Sequence, residues 1–377
     1  MFKSLETGPL AHVDIFDVSQ FREEHTLGNG IPLALQLKGF NRMERIVRRN
    51  NQIARGERGS TIARSISEGA IMIINDLTGC DFLSAHNSEY TLRLPDSRGI
   101  TTCGNSIYIG SVNRIHHFDT INRTVTTLHN PWFAFIHSLE LSDDASRILV
   151  ASAGFDRIME VDTATGEPIW EWSAWTHGYP HTISTHRTIA TSADFSNGVN
   201  NPLVVSSPND YPEGIGLPPG DRTAFPNRAI YLDENSILTT LFHYGLIKID
   251  RETGDVTPIL DNLSHPHGIR KYKSGFIVTD TANGVCIILD RNLLPTKVFS
   301  FRNLPDKSPE AESGEWLQQV IPFGDGLLAA IDSNRTRLYV LDIDNMLRRS
   351  IPYDPNWAMH EVCPLSPQLE KGLMQFD

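Results

Sequence analysis

Four histidines carry the strongest chemical signal in this chain. His137, His181, His267 and His360 each stand at the head of an alternating apolar run, in IHSL, PHTI, PHGI and MHEV. Only 14 of the 377 residues are histidine, so four at matching positions point to a function. Imidazole nitrogens suit transition metals, whereas calcium and magnesium prefer oxygen ligands. Three or four of these side chains, brought together, could hold one divalent ion (Fe, Zn or Mn) and leave positions for water and substrate. Three further runs open on other polar residues: Arg98 in SRGI, Asn227 in PNRA, and Gln318 or Gln319 in WLQQV. Arg98 is suited to a carboxylate or phosphate of a substrate, and the amides to orienting polar groups or to plugging a channel by hydrogen bonding.

Residues so far apart in sequence converge only if a repeating architecture brings them together. Strands that end on apolar residues and then Asp recur at Asp119, Asp162, Asp250, Asp290 and Asp342, spaced 43, 88, 40 and 52 residues apart. A period in the low forties is that of a four-stranded propeller blade, and 88 implies a hidden blade. PHTI at Pro180 to Ile183 mirrors PHGI at Pro266 to Ile269 and supplies that blade's opening, His181. Arg98, His137, Asn227, His267 and Gln318 or Gln319 lie 21 to 25 residues ahead of their Asp. At the C-terminus, MHEV has too little chain after it to complete a blade. The first repeat, EGAIMIIND, CDFLSAHN and EYTLRL between Glu68 and Leu94, lacks an inner strand. Pairing the two closes the ring and removes free sheet edges.

The expected fold is therefore an all-β, seven-bladed propeller over residues 58–377, with six blades as the alternative. Residues 1–57 form an N-terminal extension or cap that is partly helical, because Asn41 to Ala54 is rich in helix formers and lacks Gly and Pro.

SRGI, PHTI, PHGI and the units of strand, Asp and Gly-containing turn resemble the NHL-repeat, gluconolactonase-like and virginiamycin B lyase-like propellers. That resemblance implies inner-strand openings around the upper mouth of a central channel, where metal and substrate bind. Lyase-like members mix His with Glu there, whereas this chain has mainly His and amides. An all-His set also suits iron used for oxygen chemistry.

A net charge of −12 opposes a general nucleic-acid surface. The local exception is Arg42, Arg45, Arg48, Arg49, Arg55 and Arg58, which either bind an anion or form a solvated helix face. No apolar run is long enough for a signal peptide or a membrane span, which predicts a cytoplasmic protein with no membrane partner. The four cysteines are scattered without a CxxC pair and read as reduced. Two long loops, Ser206 to Phe225 and Arg302 to Glu315, read as lids, and Trp170 to Tyr179 as an apolar wall or as packing between blades. Glu140 and Glu361 fall on the strand face opposite the histidines. The reading is a metal-dependent enzyme acting on a small molecule, nominally a lyase or hydrolase. A non-heme iron oxygenase and a non-catalytic scaffold that binds a peptide or protein are the alternatives.

Overall fold

A computed structural model describes residues 10–55, 59–190, 202–212, 214–312 and 314–376. These residues form a β-propeller of six blades, each an antiparallel sheet of four strands. Blade I consists of Met359–Pro364, Leu33–Leu37, Ala70–Ile74 and Tyr90–Arg93, from the axis outwards. Blade II runs from Ser97–Cys103 to Thr124–His129, and blade III from Ile136–Leu141 to Pro168–Ser173. Blades IV, V and VI open with Pro226–Asp233, Gly268–Tyr272 and Leu317–Pro322.

The alternating pattern works because a blade is buried on both faces. In Leu328–Asp332, for example, Leu328 and Ala330 pack toward blade V while Ala329 and Ile331 pack toward blade I. Six such apolar layers join successive blades, including the one between VI and I that closes the circle. The recurring Asp has a local cause. Asp119, Asp162, Asp250, Asp290 and Asp342 each use Oδ1 to accept two backbone N–H groups of the turn into the outer strand.

Blade I closes as the sequence suggests, with Met359–Pro364 as its inner strand, but its second strand is Leu33–Leu37. The propeller thus begins well before residue 58, and the boundary expected at 57 does not hold. CDFLSAHN is not a strand; it holds a single bridge at Leu83 and a turn of 3-10 helix at Ala85–Asn87. The predicted helix is present as Arg42–Ala54 and sits between two strands of blade I. Arg58 lies outside the described residues. The true N-terminal extension adds Asp14–Asp17 and Arg22–Glu23 as parallel fifth strands on the outer edges of blades V and VI, which covers them.

The expected seventh blade is absent from the described residues. Between blades III and IV the chain makes an excursion whose only described strands, Thr188–Ala190 and Pro202–Val204, pair parallel with each other; residues 191–201 lie outside the described residues. Trp175, Ile189, Val205 and Leu217 bury themselves against Ala134 and Phe155 of blade III instead of building a sheet. The length of one blade period was therefore coincidental. Among the described residues no helix is long and apolar enough to cross a membrane.

Candidate functional site

Each inner-strand ladder except that of blade V loses register at its opening. The shifts fall between Ser97 and Ile100, Ile136 and Ser138, Pro226 and Arg228, Leu317 and Gln319, and Met359 and Glu361. The residues left out of the ladder are Arg98 with Gly99, His137, Asn227, Gln318 and His360. A bulge re-aims the side chain it carries, so five strands release a polar residue from the pleat at the same level. In blade V, His267 stands one residue ahead of the strand and its N–H reaches Thr279 O at 3.2 Å. Two residues before four of the openings the backbone is left-handed: Asp96, Phe135, Phe225 and His265 have φ of 43°, 49°, 55° and 56°. Bulky residues avoid that region, so the conformation is held by its surroundings.

The histidines come from alternate blades, I, III and V, and Arg98, Asn227 and Gln318 from the three between. The His137 ring meets His360 edge to face with centroids 4.7 Å apart, and lies 5.7 Å from His267. All three are buried, at 4%, 0% and 4% exposure for His137, His360 and His267. His137 Nδ1 lies 3.0 Å from the carbonyl of Asn227, and His267 Nδ1 lies 3.0 Å from the carbonyl of His265. A carbonyl only accepts, so both rings carry the proton on Nδ1 and keep the lone pair on Nε2. Burial first, and then the neighbouring cations, hold all three well below the ordinary histidine value, so they are neutral.

Those cations include a residue that sequence reasoning missed. Lys38, directly after Leu33–Leu37, donates to Gln318 Oε1 at 2.8 Å. Burial, reinforced by Arg98 and Arg45, holds its amine well below the usual lysine range. Its strand falls within residues 1–57, which the sequence pattern sets apart as an extension, so nothing in the sequence places it at the channel. Trp316 was missed too: it donates to Gln318 Oε1 at 3.1 Å and packs on His267, with Arg49 of the helix 4.2 Å above its ring.

Guanidinium groups crowd Phe135. Arg98, Arg222 and Arg64 lie 3.7, 4.5 and 5.1 Å from its ring centroid. Arg98 pairs with Asp96 at 2.7 Å, and burial takes it down to about 10 and Arg222 to about 9. Several polar atoms here are buried without a partner among the described residues: Arg98 Nε and Nη1, Arg222 Nη1, Asn227 Oδ1, Gln318 Nε2, and both nitrogens of His360. Residues 38–55 and 59–69 and the described part of the excursion roof this end, with Ser60 O accepting from Gly220 N at 2.8 Å.

Not every predicted residue joins. His181 is exposed on the excursion, where it bridges to Thr188, so PHTI imitates the blade motif without its position. The expected four-histidine metal site is not assembled, and among the described residues no group of three or more His, Cys, Asp or Glu is arranged to hold a metal ion. Gln319 points away from Gln318 and accepts from Arg270 at 3.0 Å. Glu140 and Glu361 lie with it further down the channel, bound to Arg228 at 2.9 and 3.0 Å. The aromatic segment packs: Trp172 is fully buried and donates to Gly254 O at 3.2 Å. The apolar wall is Phe135, Phe225, Phe242 and Trp316 instead.

No known protein family matches the chain, and no curated protein matches it in sequence. Among solved structures it is similar to a protein of unknown function from Bacteroides caccae, at 12% identity and a TM-score of 0.52, covering 89% of this chain and 99% of the other. A chain of the mitotic checkpoint complex matches at 9% identity and a TM-score of 0.41, over 77% of this chain and 68% of that one. The Bacteroides likeness shows the propeller fold and no particular family.

Proposed function

We propose that the upper end of the channel binds a small organic anion bearing a carboxylate or phosphate, and that the neutral bases there move a proton within it, in the manner of a lyase or hydrolase. One observation carries this reading. Four of the six openings present buried polar atoms without partners, and buried polar groups are otherwise almost always satisfied. Donors of Arg98 and Arg222 suit an anionic oxygen, and with Arg64 these guanidinium groups outnumber the nearby carboxylates of Asp96 and Asp156, which favours negative charge. Nε2 of His137 or His267 can accept a proton, and the Lys38 amine is a second group that can exchange one. With the imidazoles so deeply buried, a ligand reaches them from above only when the roof moves, and closure then excludes water.

The test is a thermal-shift titration with malonate and inorganic phosphate. Stabilisation of the wild type by either anion, lost in Arg98→Gln, is expected. No stabilisation by either anion counts against the reading and leaves the propeller as a scaffold for a peptide or protein.

A second reading retains a metal, with three histidines rather than four, whose rings would have to turn into a ligating arrangement that they do not hold in the described structure. It is favoured by the Nδ1 bonds of His137 and His267, since such bonds orient an imidazole for ligation through Nε2. His360, with neither nitrogen engaged, completes the donor set. Fe, Zn or Mn there would supply Lewis acidity, or oxygen chemistry if iron. Elemental analysis of metal-replete protein beside His267→Ala decides it: stoichiometric metal lost in the variant supports it, and no metal in either rejects it.

A further inference from the structure

The channel has a second polar region, where the inner strands finish. A cavity of about 180 Å³ lies there, lined by Glu140, Arg228, Arg270, Lys271 and Glu361 together with apolar residues such as Ile100 and Ile321. That is several times the ~30 Å³ that one molecule of liquid water occupies. Arg228 and Glu361 are each 1% exposed, so their charges are set within the protein rather than at its surface.

The charged groups only partly satisfy each other. Glu361 Oε1 accepts from Arg228 at 3.0 Å and also from Arg270, while Glu361 Oε2 is buried with no partner. Arg228 also reaches Glu140 Oε2 at 2.9 Å, and Arg270 reaches Gln319 Oε1 at 3.0 Å. Nε of both arginines is buried and unpartnered. Burial and the neighbouring Arg228 hold the Arg270 guanidinium below its usual range, the direction expected where positive charge is incompletely balanced. Lys271 stands half exposed at the rim, 3.6 Å from the fully exposed Asp143. Beside the cavity, two guanidinium N–H groups thus lack an acceptor and one carboxylate oxygen lacks a donor among the described residues; all three atoms are closed off from the open space, so a ligand meets them once these side chains turn towards it.

From this pattern we infer a second small-molecule site at the lower end of the channel, for a small carboxylate that carries a hydrogen-bond donor on its α carbon. The carboxylate answers Arg228 Nε and Arg270 Nε, with Lys271 drawing the anion to the mouth. The α substituent, hydroxyl or ammonium, donates to Glu361 Oε2. A carboxylate without that donor leaves a buried anionic oxygen unpaired and binds more weakly.

Calorimetric titration of the full-length protein with lactate, alanine and propionate tests this. Binding of lactate or alanine is expected, whichever donor Glu361 prefers, with propionate at least about tenfold weaker. Arg270→Gln is expected to weaken the better ligand about tenfold, and Lys271→Gln, on the rim and without consequence for folding, about threefold. The inference is overturned if none of the three binds, if propionate binds as well as the others, or if Lys271→Gln leaves affinity unchanged. It is equally overturned if affinity is lost in Arg98→Gln and kept in Arg270→Gln, because the acid then occupies the upper site.

Discussion

His137 and His360, from blades III and I, stand edge to face across the channel with ring centroids 4.7 Å apart, and neither carries a proton charge. Two imidazolium ions at that separation would repel, and both rings are buried. Their neutrality is therefore a condition of the fold as well as of the chemistry.

Acid sensitivity follows from that condition. His137, His267 and His360 have folded pKa values well below their ordinary 6.5, so below that pH the unfolded chain binds protons that the native state refuses. Stability is unaffected by them above about pH 6.5 and falls as the pH drops below it, by up to about 1.4 kcal/mol per histidine per pH unit. Urea denaturation between about pH 7 and 5 checks the sign, and Phe in place of His360 should flatten the slope.

Lys38→Met separates binding from stability. Burial penalises its charged form, and it donates to Gln318 Oε1, which Trp316 also serves. The variant should be as stable as the wild type to within about 1 kcal/mol, or more stable, while losing the response to malonate. Thermal denaturation with and without the anion reads both effects.

Glu361→Gln should behave in the opposite way. Its Oε1 neutralises two buried guanidinium groups, so removing the charge leaves them facing each other. A loss of about 3 kcal/mol in denaturant unfolding is expected.

His181→Ala should change neither stability, beyond about 0.5 kcal/mol, nor anion binding, because the side chain is exposed and, among the described residues, bonded to Thr188 alone. His267→Ala, its twin by motif, should reduce binding. Running the two side by side tests whether position in the ring, rather than the PHxI motif, confers the role.

That pair also shows what was legible in the sequence. The repeating Asp marks a turn whose backbone it caps, so the blades it closes were readable from local chemistry. PHTI was misread because the same four-residue pattern serves a bridge in an excursion, and only tertiary packing around Trp175 and Leu217 distinguishes the two. Leu33–Leu37 was missed because the helix Arg42–Ala54 separates it from its partner Ala70–Ile74, and with it went Lys38. The bulges that aim His137, Asn227, Gln318 and His360 leave no residue signature, since they arise from register between strands. Left-handed Phe135 and Phe225 contradict local preference, so no propensity argument would have placed them there.

The most direct measurement is proton uptake on anion binding. Burial and the neighbouring cations hold the Lys38 amine well below the usual lysine range in the free protein, and an anion beside it moves the amine back towards the ammonium form. Calorimetric titration with malonate near about pH 8, in two buffers of different ionisation enthalpy, reports the protons exchanged. The account predicts net proton uptake in the wild type and none in Lys38→Met. Absence of malonate binding, or binding without proton uptake that Lys38→Met leaves unchanged, would contradict it.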